Sequence, residues 1–282
     1  MKALSFGEIL WDVYPDKKCL GGAPLNFAAH FAKQGGQAYM FSAVGNDELG
    51  LSALKKISEW NVDTKYISVL NDRPTGRCVV ALNGQSVPEY NVLNNVSYDY
   101  IPYQNISEKF DLLYFGTLAL RSGNNLKVLK KILAENKFPE ILVDINIRPP
   151  FSSKSSVLFA VKTADTIKIS SEELNTVADF LDIHDFSDCG GFSLKLAERF
   201  ANLKRIVITL SSDGAYCMDC ENGKSFRCPA VETKVLSTVG AGDSFAASFI
   251  YNFLNKKDIQ YCLKSAAETA SYVVSKYDAV PD

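Results

Sequence analysis

Nowhere in this chain do apolar residues run for the ~18 positions that a membrane-spanning helix needs. An excess of either charge is missing too: 30 Lys and Arg face 32 Asp and Glu, a formal net charge of −2. That balance offers neither a basic footprint for nucleic acid nor a polybasic stretch for anionic lipid. The N-terminus has little of a secretory signal, since only Lys2 precedes the first apolar run and Glu8 and Asp12 interrupt it. Histidine is almost absent, with only His30 and His184. The seven cysteines form an odd, scattered set, which suits free thiols in a reducing compartment, so the cytoplasm is the expected location. Cys217 and Cys220 make a C-x-x-C, but a zinc site there lacks a fourth ligand close in sequence. The same stretch has the pattern of a hairpin, Ala215–Met218 and Ser225–Cys228 around Glu221-Asn222-Gly223, and packing is the expected role of its thiols.

What is present reads as one globular domain. Hydrophobic residues make up 47% and charged residues 22% of 282 positions, a length that an α/β domain commonly reaches. Lys2–Val13 and Ala38–Val44 read as strands, and Leu25–Lys33 and Leu49–Trp60 as helices. Extended runs follow at Cys78–Leu82 and Tyr90–Leu93, with an Asn83-Gly84 turn signal between them. From Asp111 onward, short apolar runs (Leu112–Phe115, Ile141–Ile145, Thr166–Ile169, Ile206–Leu210) alternate with helical patterns at Leu126–Ala134, Val157–Thr163 and Phe192–Phe200. Such alternation indicates a mostly parallel sheet covered by helices on both faces. Ligands of these sheets sit beyond the carboxyl ends of the strands.

The sharpest chemical signal is Ser237-Thr238-Val239-Gly240-Ala241-Gly242-Asp243-Ser244-Phe245, followed by an apolar helical stripe through Phe245, Phe249 and Phe253. Small residues at a helix start let the backbone approach an anion, and the unpaired amides there point at it. Asp243 in the first turn is placed to accept the proton of an attacking hydroxyl, as aspartates do in phosphoryl transfer. A tight turn with a merely capping carboxylate is the plainer alternative. Other phosphate motifs do not fit. Gly223-Lys224-Ser225 lacks the first glycine of a P-loop, and Phe245 falls where a dinucleotide fingerprint needs glycine. A second signal is Gly21-Gly22-Ala23-Pro24-Leu25-Asn26, with Gly35-Gly36 and Val44-Gly45-Asn46-Asp47-Glu48-Leu49-Gly50 downstream. Pro24 suits a first helical turn, and Asn26 offers the donor and acceptor that a polyhydroxylated ligand requires.

Together these two segments resemble the signature regions of the ribokinase-like carbohydrate kinase family, also called the phosphofructokinase-B family. The resemblance runs over essentially the whole chain. It implies a ribokinase-like three-layer α/β fold: a central mostly parallel sheet, helices on both faces and a small β-lid, within one domain spanning 1–282. The lid is expected mainly from 10–20 and 65–100. It further implies that Asp12, Gly21, Gly22 and Asn26 contact a sugar, that Gly240, Ala241 and Gly242 form an anion hole, and that Asp243 is the base. Asp144-Ile145-Asn146-Ile147-Arg148 resembles the Asp-x-Asn-x-Arg segment of fructokinases and ketodeoxygluconate kinases, with Asn146 towards the sugar. Arg148 can clamp phosphate oxygens in a fork, although a surface arginine before a proline turn is the plainer alternative. Tyr90 in the lid stands either against the sugar or at a dimer interface. Lys168, Thr209, Ser211 and Gly214 fall on the nucleotide side. Glu173 matches a carboxylate that organises Mg²⁺ through water, while a capping box with Ser170 is an equal alternative.

Some positions depart from the family pattern. Ser237 stands where aspartate usually helps bind a monovalent cation, which leaves K⁺ open. Ser211 fills a glycine position of Thr-x-Gly-x-x-Gly, where a Cβ demands different backbone angles. Asp278 replaces a glycine near the C-terminus. The expected activity is transfer of the ATP γ-phosphate to fructose or a related ketose, by a homodimer that meets only small molecules. Ribose, 2-keto-3-deoxygluconate or a nucleoside is the alternative acceptor, and a non-catalytic sugar-binding regulator is the alternative of another class.

Overall fold

The computed structural model describes residues 1–82 and 88–281. Strand β1 (Lys2–Phe6) begins a large sheet, and Gly7-Glu8-Ile9 then carries the backbone into β2 (Leu10–Val13) and β3 (Lys18–Gly21) of a smaller one. The single strand expected over Lys2–Val13 is therefore two, in different sheets. The break falls at Gly7, which takes φ +147 and packs on Pro24 so closely that a Cβ would lie 2.6 Å from the ring. Helix α1 (Ala23–Lys33), β4 (Gln37–Gly45), α2 (Glu48–Glu59), β5 (Val62–Asp63) and β6 (Ile67–Leu70) follow. Then come β7 (Gly76–Leu82) and β8 (Pro88–Val92) of the small sheet.

The second half alternates as its periodicity suggests: β9 (Leu112–Gly116), α3 (Gly123–Glu135), β10 (Glu140–Asp144), α4 (Lys154–Thr163), β11 (Thr166–Ser170), α5 (Leu174–Phe180), α6 (Cys189–Arg199) and β12 (Arg205–Thr209). The hairpin β13 (Ala215–Asp219) and β14 (Lys224–Cys228) and the helices α7 (Ala241–Leu254) and α8 (Ile259–Val274) complete it. The large sheet has ten strands in the order β14-β13-β12-β11-β10-β9-β1-β4-β5, with β6 also on β4. All neighbours from β12 to β5 run parallel, and the hairpin closes one edge antiparallel.

Alternation along the strands sorts the core into two layers. Leu4, Phe6, Leu113, Phe115, Val143, Ile167 and Ile206 face α3 to α6. Ala3, Met40, Leu112, Tyr114 and Leu142 face α1, α2 and α7. On that second face Phe27 of α1 stacks on Tyr114 with centroids 3.7 Å apart, which fixes α1 across the middle of the sheet. Phe245 and Phe249 of α7 pack with Cys262, Leu263 and Ala266 of α8 over the hairpin thiols Cys217 and Cys228. Within the hairpin Cys217 packs in this layer and Cys220 against the opposite one, where burial raises the Cys220 thiol to about 11.

The small sheet has the order β3-β2-β7-β8. Residues 65–75, expected in the lid, are not part of it, because Ile67–Leu70 pairs with Ser42–Gly45 of β4. After β8, Ser97–Tyr100 forms a 3₁₀ turn whose Tyr98 packs with Leu10, Cys78 and Val96 beneath the small sheet. The Asn83-Gly84 turn lies outside the described residues, as does the side chain of Tyr90.

Candidate active site

Parallel strands end on one side, so the segments after β1, β9, β10, β11 and β12 share an edge. Register sets their neighbours there: Asp144 lies beside Gly116 and Lys168, and Ser170 beside Thr209. Helix α7 starts over this edge. Its N-cap, Gly240, has φ +80, and a Cβ on it would be 2.6 Å from the Ala279 carbonyl oxygen. Only glycine satisfies both the left-handed backbone and that contact. The C-terminal segment is held in place in turn by His30 Nε2, 2.8 Å from the same carbonyl. Asp278, at the glycine position of the family, does not take up left-handed backbone.

The first turn of α7 exposes amides for which the helix supplies no acceptors. A Cβ on Gly242 would be 3.1 Å from Lys168 Nζ, so the ammonium lies against this cradle. Lys168 Nζ also donates to Asp144 Oδ2 at 2.8 Å, with side chains only 6% and 4% exposed. Burial pulls the Lys168 pKa down, but Asp144, Glu173 and Asp243 outweigh it and the net shift is upward. Asp144 is raised by burial to about 6 against the pull of Lys168. Amides and a buried ammonium facing one small-residue cradle form a donor set that fits a phosphoryl group.

Asp243 sits on that first turn, and Asn26 Nδ2 donates to its Oδ2 at 2.8 Å. Burial raises the Asp243 pKa, while Asn26, Lys168 and Arg148 act to lower it. Asp12 enters from the small sheet. A Cβ on Gly21 would lie 3.5 Å from Asp12 Oδ2 and 3.7 Å from Asn26 Oδ1, so these groups meet over Gly21. Burial raises Asp12 to about 6, with a hydrogen bond from the Cys78 thiol opposing. Gly22 abuts the Glu8 backbone, whose oxygen would be 2.5 Å from its Cβ. Asp12, Gly21, Gly22, Asn26, Gly240, Ala241, Gly242, Asp243 and Lys168 therefore converge.

The remaining positions lie further along the edge. Arg148 is exposed, and its guanidinium contacts its neighbour's carbonyl, Ile147 O, at 3.3 Å; its charge is still felt by Glu8, Asp12 and Asp243. Asn146 adopts left-handed backbone at φ 46 in the same loop. Thr209 ends β12, and beyond it Leu210 N donates to Gly214 O at 2.8 Å around a turn containing Ser211. Ser211 has φ 51, the strained conformation that a glycine would take freely, and its hydroxyl donates to Glu172 Oε1 at 2.6 Å.

Glu173 accepts backbone N–H groups from Ile147 and, at 2.8 Å, from Ser170. It thereby ties the loop after β10 to the end of β11. Among the described residues no cluster of His, Cys, Asp and Glu has metal-binding geometry. A divalent ion held chiefly by nucleotide phosphates and water is compatible with these residues. Ser237 Oγ accepts from Val239 N at 3.3 Å and brings no charge to a monovalent cation. The Gly45–Gly50 segment has a structural use: Asp47 caps α2 through Gly50 N and binds Thr75 N, both at 2.8 Å.

Two groups at this edge were not singled out from the sequence. Asp144 opens the Asp144–Arg148 segment, but its pairing with Lys168, 24 residues away, depends on strand register. Glu8 is 1% exposed and raised to about 7 by burial, with Asp243 adding to the shift. A carboxylate interrupting the apolar run Leu4–Leu10 was its signal.

The chain matches the pfkB family carbohydrate kinases over residues 13–282. It is 28% identical over 290 residues to the 5-dehydro-2-deoxygluconokinase of Bacillus velezensis, covering 99% of this chain and 86% of that protein. The enzyme of the same name from Bacillus subtilis is 27% identical over 293 residues, covering 99% and 88%. Among solved structures, fructokinase from Vibrio cholerae with fructose, ADP and calcium superposes with a TM-score of 0.84 at 23% identity, covering 99% of this chain and 94% of that one. Fructokinase from Xylella fastidiosa with bound ATP gives 0.85 at 21% identity over the same shares. The family match spans nearly the whole chain, and the fold and strand-edge cradle agree with it: this protein belongs to the pfkB family of carbohydrate kinases.

Proposed function

We propose that this ATP-dependent sugar kinase acts on a small ketose such as fructose, with Asp243 as the general base. The observation that carries this reading is the Asn26–Asp243 contact at the start of α7, 2.8 Å long, beside the Lys168 ammonium. Asp12 and Asn26 hold the sugar over Gly21 and turn one hydroxyl towards Asp243. Asp243 accepts that hydroxyl's proton as its oxygen bonds to the γ-phosphorus, and the bond from phosphorus to the β-γ bridging oxygen breaks to leave ADP. The amides of Gly242 and Asp243, with Lys168, meet the charge on the transferring group. Glu173 is the residue that would help hold Mg²⁺, and the ion would supply neutralisation of the phosphate charge.

A second reading is a deoxy keto sugar acid, favoured by the names of the curated relatives and by Arg148, the exposed cation whose charge reaches the acidic face. ADP release with Mg·ATP against fructose, tagatose, ribose, 2-keto-3-deoxygluconate, 5-dehydro-2-deoxygluconate and adenosine, with and without K⁺, tests both. Turnover highest with fructose or tagatose supports the first reading. Turnover confined to a sugar acid, and lost in Arg148→Ala, replaces it with the second.

A further inference from the structure

Where the two sheets meet, the fold leaves a group of buried polar atoms unpartnered. Glu8 is 1%, Tyr98 0% and Asn26 4% exposed, and the Arg121 side chain 7%. Among the described residues, Glu8 Oε2, Tyr98 Oη, Asn26 Oδ1 and Arg121 Nη1 find no hydrogen-bond partner. Buried donors and acceptors are nearly always paired, so several concentrated in one place point to a ligand that supplies the partners.

The surrounding geometry keeps them from satisfying one another. Arg121 is locked by its other nitrogens: Nε and Nη2 donate to Asp99 at 2.7 and 2.9 Å, and Nη2 also to Leu93 O at 2.6 Å. Its guanidinium lies 5.0 Å from the Tyr98 ring centroid and 4.5 Å from that of Phe151. Glu8 is fixed by its place between β1 and β2 and by Gly22, where a Cβ would be 3.3 Å from Glu8 Cγ. Asn26 spends its amide nitrogen on Asp243. What remains is an acceptor at Asn26, a carboxyl oxygen at Glu8, a donor at Arg121 and a hydroxyl at Tyr98.

We propose that Glu8, Tyr98 and Arg121 form a hydroxyl-reading subsite for the sugar hydroxyls other than the one presented to Asp243. A hydroxyl both donates and accepts, so it can bridge an acceptor and a donor that cannot reach each other. Asp99 already neutralises Arg121, and the remaining charge is acidic, so the subsite takes neutral hydroxyls rather than a carboxylate. It rests on the sugar-kinase reading above and specifies which side chains set sugar affinity.

Tyr98→Phe, Glu8→Met and the conservative Glu8→Gln test it, with steady-state KM for D-fructose, 5-dehydro-2-deoxygluconate and ATP, and with calorimetric sugar binding. Tyr98→Phe and Glu8→Met are expected to raise the sugar KM about tenfold, the worth of one lost hydrogen bond. The KM for ATP stays the same, and Glu8→Gln recovers most of the loss. Should Glu8→Met not fold, Tyr98→Phe decides. Unchanged sugar KM and binding in the variants, with a parent enzyme that turns the sugar over, overturn the subsite alone. Neither turnover nor binding of either sugar by the parent overturns the ketose-kinase reading as well.

Discussion

A carboxylate must be ionised to take a proton, and burial works against ionisation at Asp243. Its folded-state pKa is raised, by burial first, with Asn26 and Lys168 opposing. The acid limb of kcat/KM is therefore expected above the ordinary aspartate range of about 4, with activity falling as pH falls through it. Asn26→Ala removes the hydrogen bond that favours the ionised form, so its limb should move to higher pH. A pH–rate profile in which parent and variant share one limb contradicts this. Lys168 and Asp144 pose a different question. Removing one partner strands a buried charge, so Lys168→Met should lose about 3–5 kcal/mol in denaturant unfolding. The double variant Lys168→Met/Asp144→Leu should regain most of that stability but not activity, because no ammonium then faces the cradle at Gly242. Motif spacing pointed to Asp243, Asn26 and Gly240, which the fold brings to the start of α7. The Lys168–Asp144 pair was illegible because it is set by strand register, and Glu8 left only the trace of a carboxylate interrupting an apolar run.

At the scale of elements, the start of α7 and the turn after β12 place the same left-handed demand on the backbone and meet it with different residues. Gly240→Ala must put a Cβ at positive φ and 2.6 Å from Ala279 O. The left-handed backbone alone costs about 1–2 kcal/mol, and the clash would push the C-terminal segment off His30. We expect a lower melting temperature together with a higher KM for ATP; an unchanged KM would detach Gly240 from the phosphate cradle. Ser211→Gly is the converse case. It relieves φ 51 at the expense of an exposed hydroxyl contact with Glu172, so stability should be unchanged or up to about 1 kcal/mol higher. The sequence showed that Ser211 occupies a glycine position but not that the backbone keeps the glycine conformation. Likewise, alternating apolar runs and helical stripes disclosed the β9–β12 half of the sheet. They could not say that Ile67–Leu70 joins β4, since a short apolar run reads alike in either sheet.

At the scale of the whole molecule, the functional edge gathers carboxyls that the fold would rather keep protonated. Glu8 is raised from 4.5 to about 7. Between those values the native state holds a proton that the unfolded chain has released, so this group's effect on stability worsens as pH rises through that window. Glu8→Gln removes the penalty. Its stability relative to the parent should rise from pH 5 to 8 by up to about 3 kcal/mol, and a pH-independent difference would show that Glu8 ionises normally. That stabilisation is expected without any gain in sugar affinity, as befits a site that holds polar groups ready for a ligand. The account as a whole rests on Asp243, and one comparison tests it most directly: ADP release from Mg·ATP and fructose by Asp243→Asn beside calorimetric fructose binding. The account predicts a loss of kcat of about 10²–10⁴-fold with fructose affinity retained. Turnover that survives the substitution undiminished would contradict it.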